Sequence, residues 1–78
     1  MEDREKARKK IDDIDRAISG LLSERFALSG AIVRGKIDAG EEVTDPDREE
    51  VVLSNYEKGE PRRVALAILR VSKGGIRE

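Results

Sequence analysis

Apolar residues recur along the first half of the chain with an alternating four-three spacing, at Ala7, Ile11, Ile14, Ile18, Leu21, Leu28 and Ile32. That period belongs to one face of a long helix. The seam is broken once, by Arg25. Lys36 follows eleven residues later, which at about 100° per residue brings it within about 20° of the same direction. Two cations therefore share the side of the helix that the pattern marks for burial. A charge in apolar surroundings is costly unless it is paired, so the seam calls for an anionic partner from the protein or from a ligand.

The pattern predicts three helices and no strand, an all-α fold. The first helix runs from Asp3 to about Asp38, with Gly40 as its C-terminal cap. Gly20, Gly30 and Gly35 each cost about 1 kcal/mol of helix propensity, and either mark close packing or room for a ligand, or are simply tolerated. After a polar connector, Asp45-Pro46-Asp47-Arg48-Glu49-Glu50 is a helix start. Asp45 suits the N-cap, Pro46 the first helical position, and the acids the positive end of the helix dipole. This second helix is expected to reach about Lys58, where Gly59-Glu60-Pro61 breaks it. A third helix spans about Pro61 to Lys73, with Val64, Ala67, Ile68 and Val71 on one face.

Seventy-eight residues allow a single domain, and so short a chain rarely closes a sufficient core without a disulfide, a metal or a partner chain. There is no Cys and no His, so self-association is the expected way to bury the long seam. Sixteen basic and seventeen acidic residues nearly cancel, against general nucleic-acid binding or an acidic-membrane address. No apolar run approaches membrane length, and the polar opening Met1-Glu2-Asp3-Arg4-Glu5-Lys6 is unlike a signal peptide. A cytoplasmic protein is expected. Without His or Cys, the common nucleophile-base pairs and most zinc sites are excluded, and no metal site is expected. Any chemistry must come from carboxylates, Lys, Arg, Ser or positioning.

Two readings of Arg25 and Lys36 are open at this level: a ligand site, or an internal ion pair for Arg25 with Lys36 reaching to solvent. Arg8 is a separate case. It precedes Arg25 by seventeen residues, about 25 Å along the axis and about 100° around it. The two cannot meet at one small site within one helix, so a shared ligand would require Arg8 from a second chain. Asp45, Arg48 and Glu49 are explained equally well by capping and by function. Ser72 lies close to Ile68 and Val71 and is weakly placed toward the same interior.

The ordered set Arg8-Lys9-Lys10-Ile11-Asp12-Asp13-Ile14-Asp15, Leu21-Leu22-Ser23-Glu24-Arg25, Lys36 and Asp45-Pro46-Asp47-Arg48-Glu49 resembles the all-helical chorismate mutase family. The likeness is close from Arg8 to Glu50 and looser in the last third. It implies an intertwined helical homodimer that rearranges chorismate to prephenate on the route to phenylalanine and tyrosine, with no cofactor. It further implies that Arg25, Lys36, Arg48 and Ser72 line one pocket, with Arg8 reaching in from the second chain. Asp45 and Glu49 would lie beside the substrate's ring hydroxyl, and Lys36 would donate to its ether oxygen.

The chain departs from that family at one position. One turn after the serine matched to Ser72 the family carries Gln or Glu as a second donor to the ether oxygen; here the residue is Ile76, and the chain has no Gln. Loss of one such donor costs about 3 kcal/mol, about a hundredfold in rate, so a weak or modified mutase is expected. The link between helices two and three is also shorter than the family's. Three alternatives use much the same scaffold: pyruvate elimination from isochorismate, action on an amino analogue of chorismate, and a catalytically silent dimerisation or regulatory module.

Overall fold

The structure, a computed structural model, describes residues 2–74, with the side chains of residues 3–72. The first helix follows the expected bounds closely: α1 spans Glu2–Ala39, and its 38 residues at about 1.5 Å each account for the molecule's 57 Å long axis. Gly40 stops the helix. It adopts the left-handed conformation at φ +72°, its N–H donates to the Ile37 carbonyl, and the Glu41 N–H donates to the Lys36 carbonyl. These paired bonds satisfy the last carbonyls and pin the turn that carries Lys36. A Cβ at Gly20 or Gly35 would meet nothing, and at Gly30 only the Arg34 side chain. Within one chain, no close approach demands these glycines.

α2 is Pro46–Ser54. Asp45 is its N-cap, extended at φ −134°, and its carboxylate accepts from the Arg48 N–H at 3.2 Å. The helix ends about a turn before the expected Lys58. The Asn55 and Tyr56 N–H groups donate back only three residues, to Val52 and Leu53, which tightens the last turn. Gly59 then turns left-handed at φ +98°. α3 follows at once as Glu60–Gly74. Arg62 bridges the short link, donating from Nη2 to the Tyr56 carbonyl at 2.9 Å.

α3 packs against both α2 and α1. Its inward residues are Ala65 and Ile68, which are buried, with Leu69 and Ser72 half-buried beside them. The expected face is therefore displaced: Ile68 is buried, but Val64 and Val71 point outward, 58% and 49% exposed. The apolar arc of α3 is wider than one helix can cover, and α1 and α2 take the flank that includes Ala65 and Leu69. Among the described residues the buried core is Val52, Ala65 and Ile68. That is very little for a chain of this length.

α1 carries two apolar stripes rather than one. α3 covers Leu22, Phe26, Ser29 and Val33, all half-buried, whereas the seam residues Leu21, Leu28 and Ile32 are 60–65% exposed. The two stripes lie roughly 80–100° apart around the helix. Arg25 stands between them. Towards the N-terminus even the second stripe ends, and every described side chain from Asp3 to Gly20 is exposed. No helix among the described residues is long and apolar enough to cross a membrane.

Candidate active site

The carboxyl-terminal half of α1 supplies one wall of a half-open cavity of about 170 Å³. Arg25, Ser29, Val33 and Lys36 follow one another down this wall at spacings of four, four and three, so all point the same way. Val43 from the connector lies across one end. Asp45, Arg48, Glu49 and Val52 bring in the cap and first two turns of α2, and Leu69 and Ser72 close the side formed by α3. Ile32 completes the lining and also belongs to the exposed seam. The rim of the cavity and the uncovered stripe are thus continuous.

Six of the seven residues singled out from sequence meet here: Arg25, Lys36, Asp45, Arg48, Glu49 and Ser72. Arg25 and Lys36 are half-buried, which fits neither a fully solvated cation nor a deeply buried one. The guanidinium of Arg25 donates from Nη1 to the Ser72 hydroxyl at 2.9 Å. Its partner is a neutral oxygen, not the neighbouring-helix acid that an internal ion pair would have supplied. An ion pair between Arg16 and Asp13, at 2.7 Å, lies on the exposed part of α1. Arg48 is exposed, and its backbone N–H is held by the Asp45 cap, so one hydrogen bond fixes where both side chains leave the backbone.

Arg8 lies elsewhere. It is exposed in the uncovered half of α1, as the seventeen-residue spacing requires. Ile76, the position of the missing donor, falls outside the described residues. The shortened link between α2 and α3 nevertheless delivers Ser72 to Arg25 across 47 residues of sequence.

Sequence reading missed Ser29. It sits one turn after Arg25 and seven residues before Lys36, on the same wall, and its hydroxyl donates to the Phe26 carbonyl at a long 3.3 Å. The signal was present in the spacing, but Ser29 falls between the seam residues Leu28 and Ile32 and reads as polar surface. Val33 was missed for the same reason.

Three cations face two carboxylates in this cavity, a formal excess of one positive charge. Chemically, such a set can clamp an anion bidentately through guanidinium groups and offer an ammonium to a second oxygen. Its lining has no thiol or imidazole, so the chemistry these side chains offer is binding and charge stabilisation. No significant match is found among curated proteins or among solved structures. The family model for chorismate mutase type II matches residues 7–70, most of the chain, and takes in every cavity residue except Ser72. The chain belongs to the chorismate mutase type II family.

Proposed function

We propose that the protein is a homodimeric chorismate mutase that rearranges chorismate to prephenate. The observation that carries this reading is the convergence of Arg25, Lys36 and Arg48, from two helices, on one half-open cavity. Chorismate is a dianion, and its rearrangement is pericyclic: the ether bond breaks as a carbon–carbon bond forms, with no nucleophile, cofactor or obligatory proton transfer. A catalyst must hold the extended substrate in its folded, chair-like conformer and stabilise the charge that grows on the ether oxygen. Arg25 and Arg48 are suited to the carboxylates. Lys36 is suited to the ether oxygen, and because that contact strengthens as the bond breaks, it raises the rate and not only the affinity. Asp45 and Glu49 accept from the ring hydroxyl.

The dimer follows from the same reading. The cavity of one chain offers a single excess positive charge for a substrate that carries two negative ones. Arg8 from a second copy would supply the other. A second α1 laid along the exposed seam would cover Ile14, Ile18 and Leu21, and would close the cavity where Ile32 forms its rim. It would also bury apolar surface that supports a chain whose core, among the described residues, is three side chains.

Incubating purified protein with chorismate and following loss of the diene absorbance tests the proposal. Turnover above the buffer rate is expected, and none from an intact dimer would sink it. A second reading, a binding or regulatory module on the same scaffold, draws on Ile76. Calorimetry with a transition-state analogue separates the two, since a silent interaction module leaves the pocket without affinity for it. Elimination of pyruvate from isochorismate is distinguished by its product.

A further inference from the structure

We infer that the Ser29 hydroxyl is a further donor to the substrate, aimed at the same oxygen as Lys36; the inference rests on the mutase reading, in which that oxygen is the ether oxygen. Ser29 is half-buried on the cavity wall, one turn after Arg25 and seven residues before Lys36. Its proton makes a weak bond within the helix. Ser29 Oγ donates to the Phe26 carbonyl at 3.3 Å, beyond the length of about 2.7–2.8 Å usual for a hydroxyl donor. Ser54 and Ser72 make the same kind of backward bond at 2.7 and 2.8 Å. The Phe26 carbonyl also lies inside α1, where it accepts the N–H four residues on. Ser29 therefore gives up little when its hydroxyl turns to a better acceptor in the cavity. An alanine would suit the helix interior better and leave no poorly bonded hydroxyl beside the half-buried Phe26 and Val33. As a fold element the hydroxyl contributes little; against a ligand oxygen it contributes a full hydrogen bond.

The lean of helical side chains selects the oxygen. Long side chains on a helix point back towards its amino terminus, so Arg25 leans away from Ser29 and Lys36 leans towards it. The Arg25 guanidinium is drawn to Ser72 on α3, at 2.9 Å. Ser29 lies about 6 Å along the axis from Arg25 and about 10 Å from Lys36, and the four-carbon stem of the lysine covers much of the larger gap. An acceptor held by the Lys36 ammonium is thus flanked by the Ser29 hydroxyl from the same wall. A short neutral donor beside an ammonium adds a second hydrogen bond without adding charge. That suits an oxygen that gains negative charge only as its bond breaks.

Ser29→Ala should lower kcat about tenfold and leave KM within about twofold of wild type, because the bond strengthens in the transition state. Thermal unfolding should occur at or above the wild-type temperature, since alanine favours the helix, so lost turnover is not lost fold. A wild-type kcat in Ser29→Ala overturns the proposal, as does a loss confined to KM, which would put the hydroxyl on a carboxylate. Two inhibitors read the contact without turnover: a bicyclic dicarboxylate that mimics the transition state with its ether oxygen, and the same molecule with a methylene in that place. In calorimetry the wild type should prefer the ether, and Ser29→Ala should cut that preference about tenfold. An unchanged preference overturns the proposal. Failure of the mutase reading looks different: the wild type then turns over no chorismate, while the ratio of the two affinities still decides Ser29. If the wild type binds neither inhibitor and turns over no chorismate, both readings fall.

Discussion

The two halves of α1 have the same helical continuity and opposite surroundings. From Asp3 to Gly20 every side chain is exposed, although Ile11, Ile14 and Ile18 form a regular apolar stripe. From Leu22 to Lys36 a second stripe is covered by α3, and its neighbours line the cavity. An isolated helix of about twenty residues is marginal in water, and apolar side chains along it do nothing until something covers them. The amino-terminal half therefore leaves its apolar stripe uncovered within one chain, whereas the other half supplies one wall of the cavity, with Arg25 and Lys36 on it. Arg8 in the first and Lys36 in the second divide one proposed site between them.

Breaking the first half should have the largest effect. Ile14→Asp places a carboxylate in the middle of the exposed stripe, where pairing with a second copy would bury it. Self-association measured by sedimentation should be lost, helicity should fall, and activity should disappear with the dimer. A variant that remains dimeric and active would show that the stripe is not the interface. Within the second half, Lys36→Ala should lower kcat by about a hundredfold or more while leaving self-association and helicity near wild type. Arg25→Ala should behave similarly, with a larger share of its effect in KM. If either variant keeps full turnover, the assignment of roles on this wall is wrong.

A mixture sharpens the comparison further. Arg8→Ala and Lys36→Ala homodimers should each be nearly inactive. In a dimer formed from one chain of each, one site carries both lesions and the other carries neither. Random exchange of chains should therefore restore about a quarter of the wild-type sites. Activity that stays at the level of the separate variants after exchange would place Arg8 and Lys36 in the same site of one chain or in no common site.

The long helix, the N-cap at Asp45 and the stop at Gly40 were legible because each depends on local chemistry or on helical period, whereas the grouping of Arg25, Lys36, Asp45, Arg48, Glu49 and Ser72 around one cavity was implied by the family resemblance and not by spacing alone. What was not legible depends on choices between faces. Arg25 reads as an interruption of one seam, yet α1 has two stripes, and only the position of α3 shows that Arg25 borders both. Val64 and Val71 satisfy the period of α3 as well as Ala65 and Leu69 do, and packing selected the latter. The early end of α2 was hidden because Asn55 and Tyr56 are not strong helix breakers; their three-residue hydrogen bonds were needed to reveal it. Ser29 was invisible because a serine between Leu28 and Ile32 resembles any polar surface position until the wall from Arg25 to Lys36 is seen as continuous.

The smallest expected effect separates structure from chemistry at Asp45, which sits at the junction where α2 is turned towards the wall of α1. Its carboxylate caps the helix through the Arg48 N–H and also lines the cavity. Asp45→Ala removes both contributions and should cost about 1 kcal/mol of stability in thermal unfolding. Asp45→Asn keeps a capping oxygen, so unfolding should shift by only a few tenths of a kcal/mol. The amide oxygen can also accept from a ring hydroxyl, so activity should stay within about threefold of wild type, while Asp45→Ala should fall about tenfold. A large loss in Asp45→Asn with stability intact would mean that the negative charge itself acts on the substrate. The cation excess of the cavity would then be a balance set for the ring hydroxyl as well as for the two carboxylates.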